Sequence, residues 1–310
     1  MYRAVLLLFA MCFPYMAAPP TRPAQRIRVP VWVDGTPVES IGVKDFNARL
    51  AGKALKVLDV KGPADDLIVL AVVDLTGDLA YVTPAKSALE TAVKKLGPRA
   101  WVGLLRAQDG LRVLVDPTAD REALAQAIES VPVSGKAGLL DTVETAARIA
   151  DGILAKSNVR VAVLYITDSD IENYREDYTN PVINSSDSRD LSRRFPEVLV
   201  HEKISKLEAS LAGRQSPLFV VQLRYFGNRL NEAYRNGLER LARVTGGAGV
   251  FCRSDAEIPG AVDHVMGLIS SYYSVTVALP ERRADTLQLQ LEHGGGRTLN
   301  YRARFVLKGR

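Results

Sequence analysis

The chain has 310 residues, 47% of them hydrophobic and 24% charged, and a formal net charge of +5. This is the composition of an ordinary globular protein, long enough for one large domain or a medium one with a small companion, and it excludes a disordered or low-complexity chain. The Lys and Arg residues are scattered, with no basic stripe interleaved with aromatics, so nucleic-acid binding is not indicated.

Arg3 precedes an apolar run over residues 4–16, and Ala17, Ala18 and a proline-rich stretch over 19–23 follow it. This order predicts a secretory signal over 1–18, cleaved near Ala18, and a periplasmic or secreted mature chain. The run is short for a membrane span; an anchor that is never cleaved is the alternative. Cleavage removes Arg3, taking the charge from +5 to +4. It also removes Cys12, leaving Cys252 and no internal disulfide. Cys252 ends Gly249-Val250-Phe251-Cys252 and reads as a buried thiol in a strand.

Residues 26–33 are strand-like and meet an Asp34–Gly35 turn. Residues 67–74 form a continuous apolar run ending in a carboxylate, the pattern of a strand buried on both faces. Thr83–Pro84 predicts a helix start, with periodicity to Leu96 and a stop at Gly97–Pro98. Segments 101–105 and 111–115 flank Gln108-Asp109-Gly110, which predicts a hairpin and an antiparallel strand at a sheet edge. Helices are predicted over 119–130 and 138–156, and residues 159–166 form a second buried strand with Asp168 beyond it. A helix over 198–212, a strand over 218–223, a helix over 230–244 and a strand over 249–252 continue the alternation. The capping box Ser254-Asp255-Ala256-Glu257 opens a last helix to about 270.

Such alternation implies crossover connections and a mostly parallel, doubly wound α/β sheet. The ends differ. Residues 286–291 alternate strictly, Gly294 to Gly296 marks a turn, and Tyr301, Ala303, Phe305 and Leu307 resume the period. Neither end makes a core alone. The expectation is an N-terminal β segment over 19–64, an α/β domain over 65–271 and a C-terminal β segment over 272–310 that pairs with 26–60.

In open α/β sheets, sites form in the crevice beyond the carboxyl ends of the strands. Two apolar strands end in aspartate there, within Asp74-Leu75-Thr76-Gly77-Asp78 and Ile166-Thr167-Asp168-Ser169-Asp170. Close carboxylates repel, and a hard divalent cation, which takes oxygen ligands, relieves the repulsion. Asp74-x-Thr76-x-Asp78 resembles the Asp-x-Ser-x-Ser metal-ion-dependent adhesion motif of von Willebrand factor A domains. Ile166-Thr167-Asp168 resembles that family's later aspartate, which follows a buried strand. The similarity covers roughly residues 65–270 and looks closest to exported bacterial VWFA-related proteins. Val43-Lys44-Asp45-Phe46 matches a motif in their flanking β-region. Val244-Thr245-Gly246-Gly247 followed by Phe251, and Ser271-Tyr272-Tyr273, match their late segments.

The resemblance implies a Mg2+ or Mn2+ site built from Asp74, Thr76, Asp78 and Asp168, at which the ion coordinates a carboxylate of a protein partner. The sequence departs from the pattern at two places. Asp78 replaces the second serine, and the family's threonine falls in Ser134-Gly135-Lys136-Ala137-Gly138, where Ala137 has no ligand atom. Three readings stay open: a retained metal site, a degenerate site neutralised by Lys136, and aspartates that only cap strand-to-helix turns.

Residues 171–197 form a long polar stretch leaving the Asp168 strand, which predicts a partner-binding or lid loop over the acidic site; a mobile insert is the alternative. His201, His264 and His293 show no ligand spacing, and no Gly-x-Ser-x-Gly, phosphate-binding Gly-Lys loop or His-Glu-x-x-His occurs. The sequence therefore predicts an exported, non-enzymatic protein-binding module with a degenerate metal-ion-dependent adhesion site, not membrane-spanning after cleavage. The rivals are a phosphatase-type hydrolase using Asp74, which lacks a second acid because Thr76 stands two residues on, and a structural envelope protein with a dead site.

Overall fold

The computed structural model describes residues 25–35, 41–171, 196–225, 227, 229–280 and 285–307. The signal over 1–18 and all of the 171–197 loop except its two ends lie outside the described residues.

The centre is a six-stranded sheet in the order β10-β9-β8-β5-β6-β7. These are β5 (Leu67–Asp74), β6 (Ala100–Arg106), β7 (Arg112–Thr118), β8 (Arg160–Thr167), β9 (Leu218–Gln222) and β10 (Gly249–Phe251). All pairs are parallel except β6–β7, the expected hairpin at the edge. Pro117 and two register shifts blunt that edge against further strand addition.

The apolar run of β5 divides between two cores. Val69, Ala71 and Val73 face α1 (Leu79–Lys95), α2 (Arg121–Ser130) and α6 (Ile258–Ser271). Leu70 and Val72 face α3 (Leu139–Lys156), α4 (Pro196–Leu211) and α5 (Arg229–Thr245). Burial on both faces is what makes the run continuous rather than alternating. Among the described residues, no helix is long and apolar enough to cross a membrane.

Two helix starts differ from the local sequence signals. Helix α1 begins at Leu79, not at Thr83–Pro84, and Pro84 lies inside it. Asp78 is the N-cap, accepting from the Ala80 N–H at 3.2 Å, and burial of Val82 and Ala85 carries the helix through the proline. Ser254 makes no side-chain cap; a 3-10 turn over Asp255–Glu257 precedes α6, and Glu257 accepts from the Arg253 N–H at 2.9 Å.

Both chain ends build a β-module of two antiparallel four-stranded sheets. One has the order β13-β1-β11-β4, from β13 (Leu299–Tyr301), β1 (Arg26–Val33), β11 (Tyr273–Ala278) and β4 (Val57–Lys61). The other is β14-β12-β2-β3, from β14 (Arg304–Val306), β12 (Thr286–His293), β2 (Phe46–Leu50) and β3 (Lys53–Leu55). Strand β1 runs antiparallel to β11 from Arg26↔Ala278 to Val31↔Tyr273, so the two ends hold each other directly. Val29, Phe46, Val275, Leu289 and Phe305 share the core between the sheets.

The module meets the amino end of the central sheet through buried arginines. Arg160 opens β8; its Nη1 donates to the Ser270 and Tyr272 carbonyls at 2.9 and 3.1 Å, and its Nη2 to those of Pro63 and Asp65 at 3.0 and 3.1 Å. Its guanidinium lies 5.2 Å from the Tyr272 ring centre. Arg302 donates to the carbonyls of Ala212, Arg214 and Arg304, and Arg28 to that of Leu154. Each reaches carbonyls at or near a helix C-terminus, where the helix dipole favours a cation. Burial lowers the pKa of all three.

A candidate docking edge at the carboxyl ends of the strands

Asp74 ends β5 and is fully buried. Its Oδ1 accepts from the Gly138 N–H at 2.9 Å; its Oδ2 accepts from the Leu139 N–H at 3.1 Å, the Thr167 hydroxyl at 3.2 Å and the Ser169 hydroxyl at 3.4 Å. The first two donors are the open N-terminus of α3, which a carboxylate suits in both hydrogen bonding and dipole. Gly138 permits the approach, since a Cβ there would lie 1.9 Å from the Ala107 carbonyl oxygen. Desolvation pushes Asp74 up to about 6; Asp168 adds to the rise, while the hydrogen bonds from Gly138, Leu139 and Thr167 oppose it.

Asp168, also buried, reaches across to the β5–α1 turn. Its Oδ1 accepts from the Thr76 N–H at 2.6 Å and the Thr76 hydroxyl at 3.0 Å, and its Oδ2 from the Gly77 N–H at 3.2 Å. Gly77 has φ +129°, a conformation that favours glycine, and it turns this N–H inward. Gln108 closes the layer, donating to the Leu75 carbonyl at 2.6 Å.

The predicted residues thus divide. Asp74, Thr76 and Asp168 converge in one hydrogen-bonded layer, whereas Asp78 sits on the rim. Its Oδ1 caps α1 and its Oδ2 accepts from Arg224 Nη1 at 2.9 Å. The Arg224 guanidinium also lies 5.6 Å from the Tyr81 ring centre. Ala137 is buried and Lys136 is exposed, with the Lys136 N–H donating to Asp109 at 2.9 Å.

Every carboxylate oxygen of Asp74, Asp78 and Asp168 accepts a hydrogen bond from the chain, and the Thr76 hydroxyl donates to Asp168 while its oxygen keeps lone pairs. Among the described residues, no three His, Cys, Asp or Glu side chains form a group that could hold a metal ion.

Sequence reasoning missed Arg224. The rule that singles out Asp74 and Asp168, looking just beyond the carboxyl end of a buried strand, also reaches Arg224 when applied to β9. It missed the loop N–H groups too, because backbone donors carry no residue signature. Cys252 is buried just past β10, and its N–H donates to the Gln222 carbonyl at 2.8 Å.

No protein-family model matches the chain, and a comparison with curated proteins finds no match. Among solved structures, the chain is similar to a von Willebrand factor type A protein from Catenulispora acidiphila, at 15% identity and a TM-score of 0.46, covering 85% of this chain and 74% of that one. It is similar to BatB from Bacteroides thetaiotaomicron at 16% identity and a TM-score of 0.42, covering 66% and 98%. The vWF domain of the type V pili tip protein Mfa5 from Porphyromonas gingivalis gives 14% identity and a TM-score of 0.43, covering 66% and 95%. The solved structures similar to this chain thus include von Willebrand factor A domains.

Proposed function

We propose that the chain is an exported, non-enzymatic protein-binding module that takes its partner through the carboxyl edge of the central sheet and the 171–197 loop. The observation that supports this reading is a mixed rim on a fixed floor. The rim carries Leu79, 63% exposed at the first position of α1, beside Tyr81, the Asp78–Arg224 pair and half-buried Tyr225. Aromatic and arginine side chains of this kind are enriched at interfaces. The floor is the Asp74–Asp168 layer, which ties the β5–α1 turn, the start of α3 and the end of β8 together.

The phosphatase reading meets a physical obstacle. Asp74 is inaccessible and both its oxygens are occupied, so neither is placed to attack a phosphorus. The metal reading, Mg2+ or Mn2+ held by Asp74, Thr76, Asp78 and Asp168, is favoured by the 3.0 Å contact that sets two oxygens of that group side by side, Thr76 Oγ1 and Asp168 Oδ1. It requires Asp78 to leave Arg224.

Thermal melting separates the two. An ion that binds only the folded state raises Tm by mass action. The docking reading without metal expects Tm to be indifferent to millimolar Mg2+, Mn2+ or chelator; a rise with metal that Asp78→Asn abolishes selects the metal site. Docking itself is read by a photo-crosslinking residue in place of Leu79 in cells. A protein adduct is expected, and none from this position overturns the docking edge. Export is checked by N-terminal sequencing of protein recovered from the envelope: a start near residue 19 is expected, and an intact Met1 overturns cleavage.

A further inference from the structure

We infer that the chain has a second binding site, a saccharide-binding cavity at the seam between the β-module and the amino end of the central sheet. It lies at the other end of the sheet from the docking edge and does not depend on that reading.

The cavity measures about 540 Å³, within the range of small-molecule sites, which favour seams of this kind. Strand β1 supplies its chemistry by simple alternation. Val31 and Val33 turn to the core of the module, so Trp32 and Asp34 share the other face. The register sets Asn300 of β13 directly opposite Trp32, and the Asp34 N–H continues the ladder to the Thr298 carbonyl at 3.0 Å. An indole, a carboxylate and an amide are thus neighbours on one sheet face. From the α/β domain come the Gly246-Gly247-Ala248 turn, which brings no polar side chain, and Arg243.

Trp32 is held in place by the chain itself. Its Nε1–H donates to the Leu268 carbonyl at 2.9 Å. Its ring meets Phe219 edge-on, at 6.2 Å and 80°, and Tyr272 tilted, at 5.8 Å and 45°. Neither neighbour stacks on it, and with its N–H spent the half-buried indole brings hydrocarbon and π surface to the cavity. Asp34 and Asn300 differ: both are exposed, and among the described residues their side chains have no hydrogen-bond or ion-pair partner. The charges in and beside the lining cancel. Arg243 is paired with Glu239, and Asp34 balances Arg302, whose guanidinium is held by three carbonyls.

These properties select a ligand. A charged one gains little from a balanced lining, and an apolar one would cover the Asp34 carboxylate and the Asn300 amide without pairing them. A sugar ring suits both needs. Its C–H face lies on the indole, and its hydroxyls donate to the carboxylate and exchange hydrogen bonds with the amide and Arg243. Adjacent hydroxyls offer a carboxylate donors in pairs, whereas an extended peptide, the rival occupant, presents its N–H groups singly.

The chain has two tryptophans, Trp32 and Trp101, so in Trp101→Phe indole emission reports from the cavity alone. The probes are glucose, galactose, mannose, N-acetylglucosamine, cellobiose and N,N′-diacetylchitobiose, with trialanine as the peptide. At least one saccharide should shift Trp32 emission saturably, with half-saturation on the order of 1 mM, as befits a small ligand. Asp34→Ala and Asn300→Ala, substitutions at exposed positions, should each weaken that binding about tenfold or more. Should Trp101→Phe fail to fold, saturation transfer from the wild-type protein to the sugar C–H protons gives the same reading, lost in the same two variants. No response to any of the saccharides at about 50 mM overturns the inference. So does a response that ignores both substitutions, or one to trialanine in place of the sugars. Each of these outcomes leaves the docking edge standing.

Discussion

The two ends of the central sheet are held by opposite chemistries. At the amino end, buried Arg28, Arg160 and Arg302 give N–H groups to carbonyls. At the carboxyl end, buried Asp74 and Asp168 take N–H groups from turns and a helix start. Helix α3 shows both: its first N–H groups end on Asp74, and the Leu154 carbonyl near its other end accepts from Arg28. Each charge sits at the helix end whose dipole it complements. The difference lies in reach. Arg160 gathers carbonyls from the 63–65 linker and the 270–272 junction, joining both chain ends to the sheet. The aspartates gather only the loops around them and leave a rim where Asp78 and Arg224 remain partly in water. One end is a junction; the other has surface to offer.

Arg160→Met tests the junction and should have the largest effect. It strips the Arg160 donors from the Pro63, Asp65, Ser270 and Tyr272 carbonyls in a buried place. Each buried acceptor left without a partner costs about 1–3 kcal/mol, so the loss should reach about 3 kcal/mol or more in urea unfolding. Arg160→Lys should recover little, because an ammonium cannot span carbonyls of separate segments. Full recovery by lysine would mean that charge rather than the fork holds the junction.

The floor is tested by pH. Burial raises Asp74 from 3.8 to about 6, so the folded state keeps a proton that the unfolded state has already released. Between those values the unfolded chain binds fewer protons, and stability falls as pH rises, by up to about 3 kcal/mol, levelling off above about pH 7. The wild type minus Asp74→Asn difference, measured in chelator at each pH, isolates this contribution. A flat difference from pH 4 to 7 would mean that the carboxylate stays charged throughout, and it would break the contrast between a desolvated aspartate floor and a solvated rim.

Much of this arrangement is written in local pattern. The apolar run of 67–74, its terminal Asp74, the Asp109–Gly110 hairpin and the strict alternation of 286–291 each fix an element through its own residues. Asp168 follows from the same strand-end logic. What the sequence hides is set by distance along the chain. Arg224 is 146 positions from Asp78, and Arg160 is 112 from Tyr272, so both look like ordinary scattered charges until the fold places carbonyls and carboxylates beside them. The start of α1 is hidden differently. Thr83–Pro84 has the local form of a helix start, but Asp78 caps the helix five residues earlier and packing of Val82 outweighs the cost of an internal proline.

The smallest effect on stability should come from the rim, and there the contrast is sharpest. Asp78 and Arg224 are each more than a third exposed, so their ion pair contributes about 0–1 kcal/mol and is weakened by salt. Breaking this pair by Asp78→Asn should therefore shift Tm by less than about 4 °C in a chain of this size. Arg160→Met should shift it several times further. Helix α1 should survive this rim variant, because an asparagine side-chain oxygen can still accept from the Ala80 N–H and the Tyr81 and Val82 N–H groups still reach the carbonyl of residue 78. A rim pair that adds little to folding is what the docking reading expects of this surface. If Asp78→Asn instead destabilises the protein as much as Arg160→Met does, the carboxyl end is a second junction, and the docking surface must be sought elsewhere on the molecule.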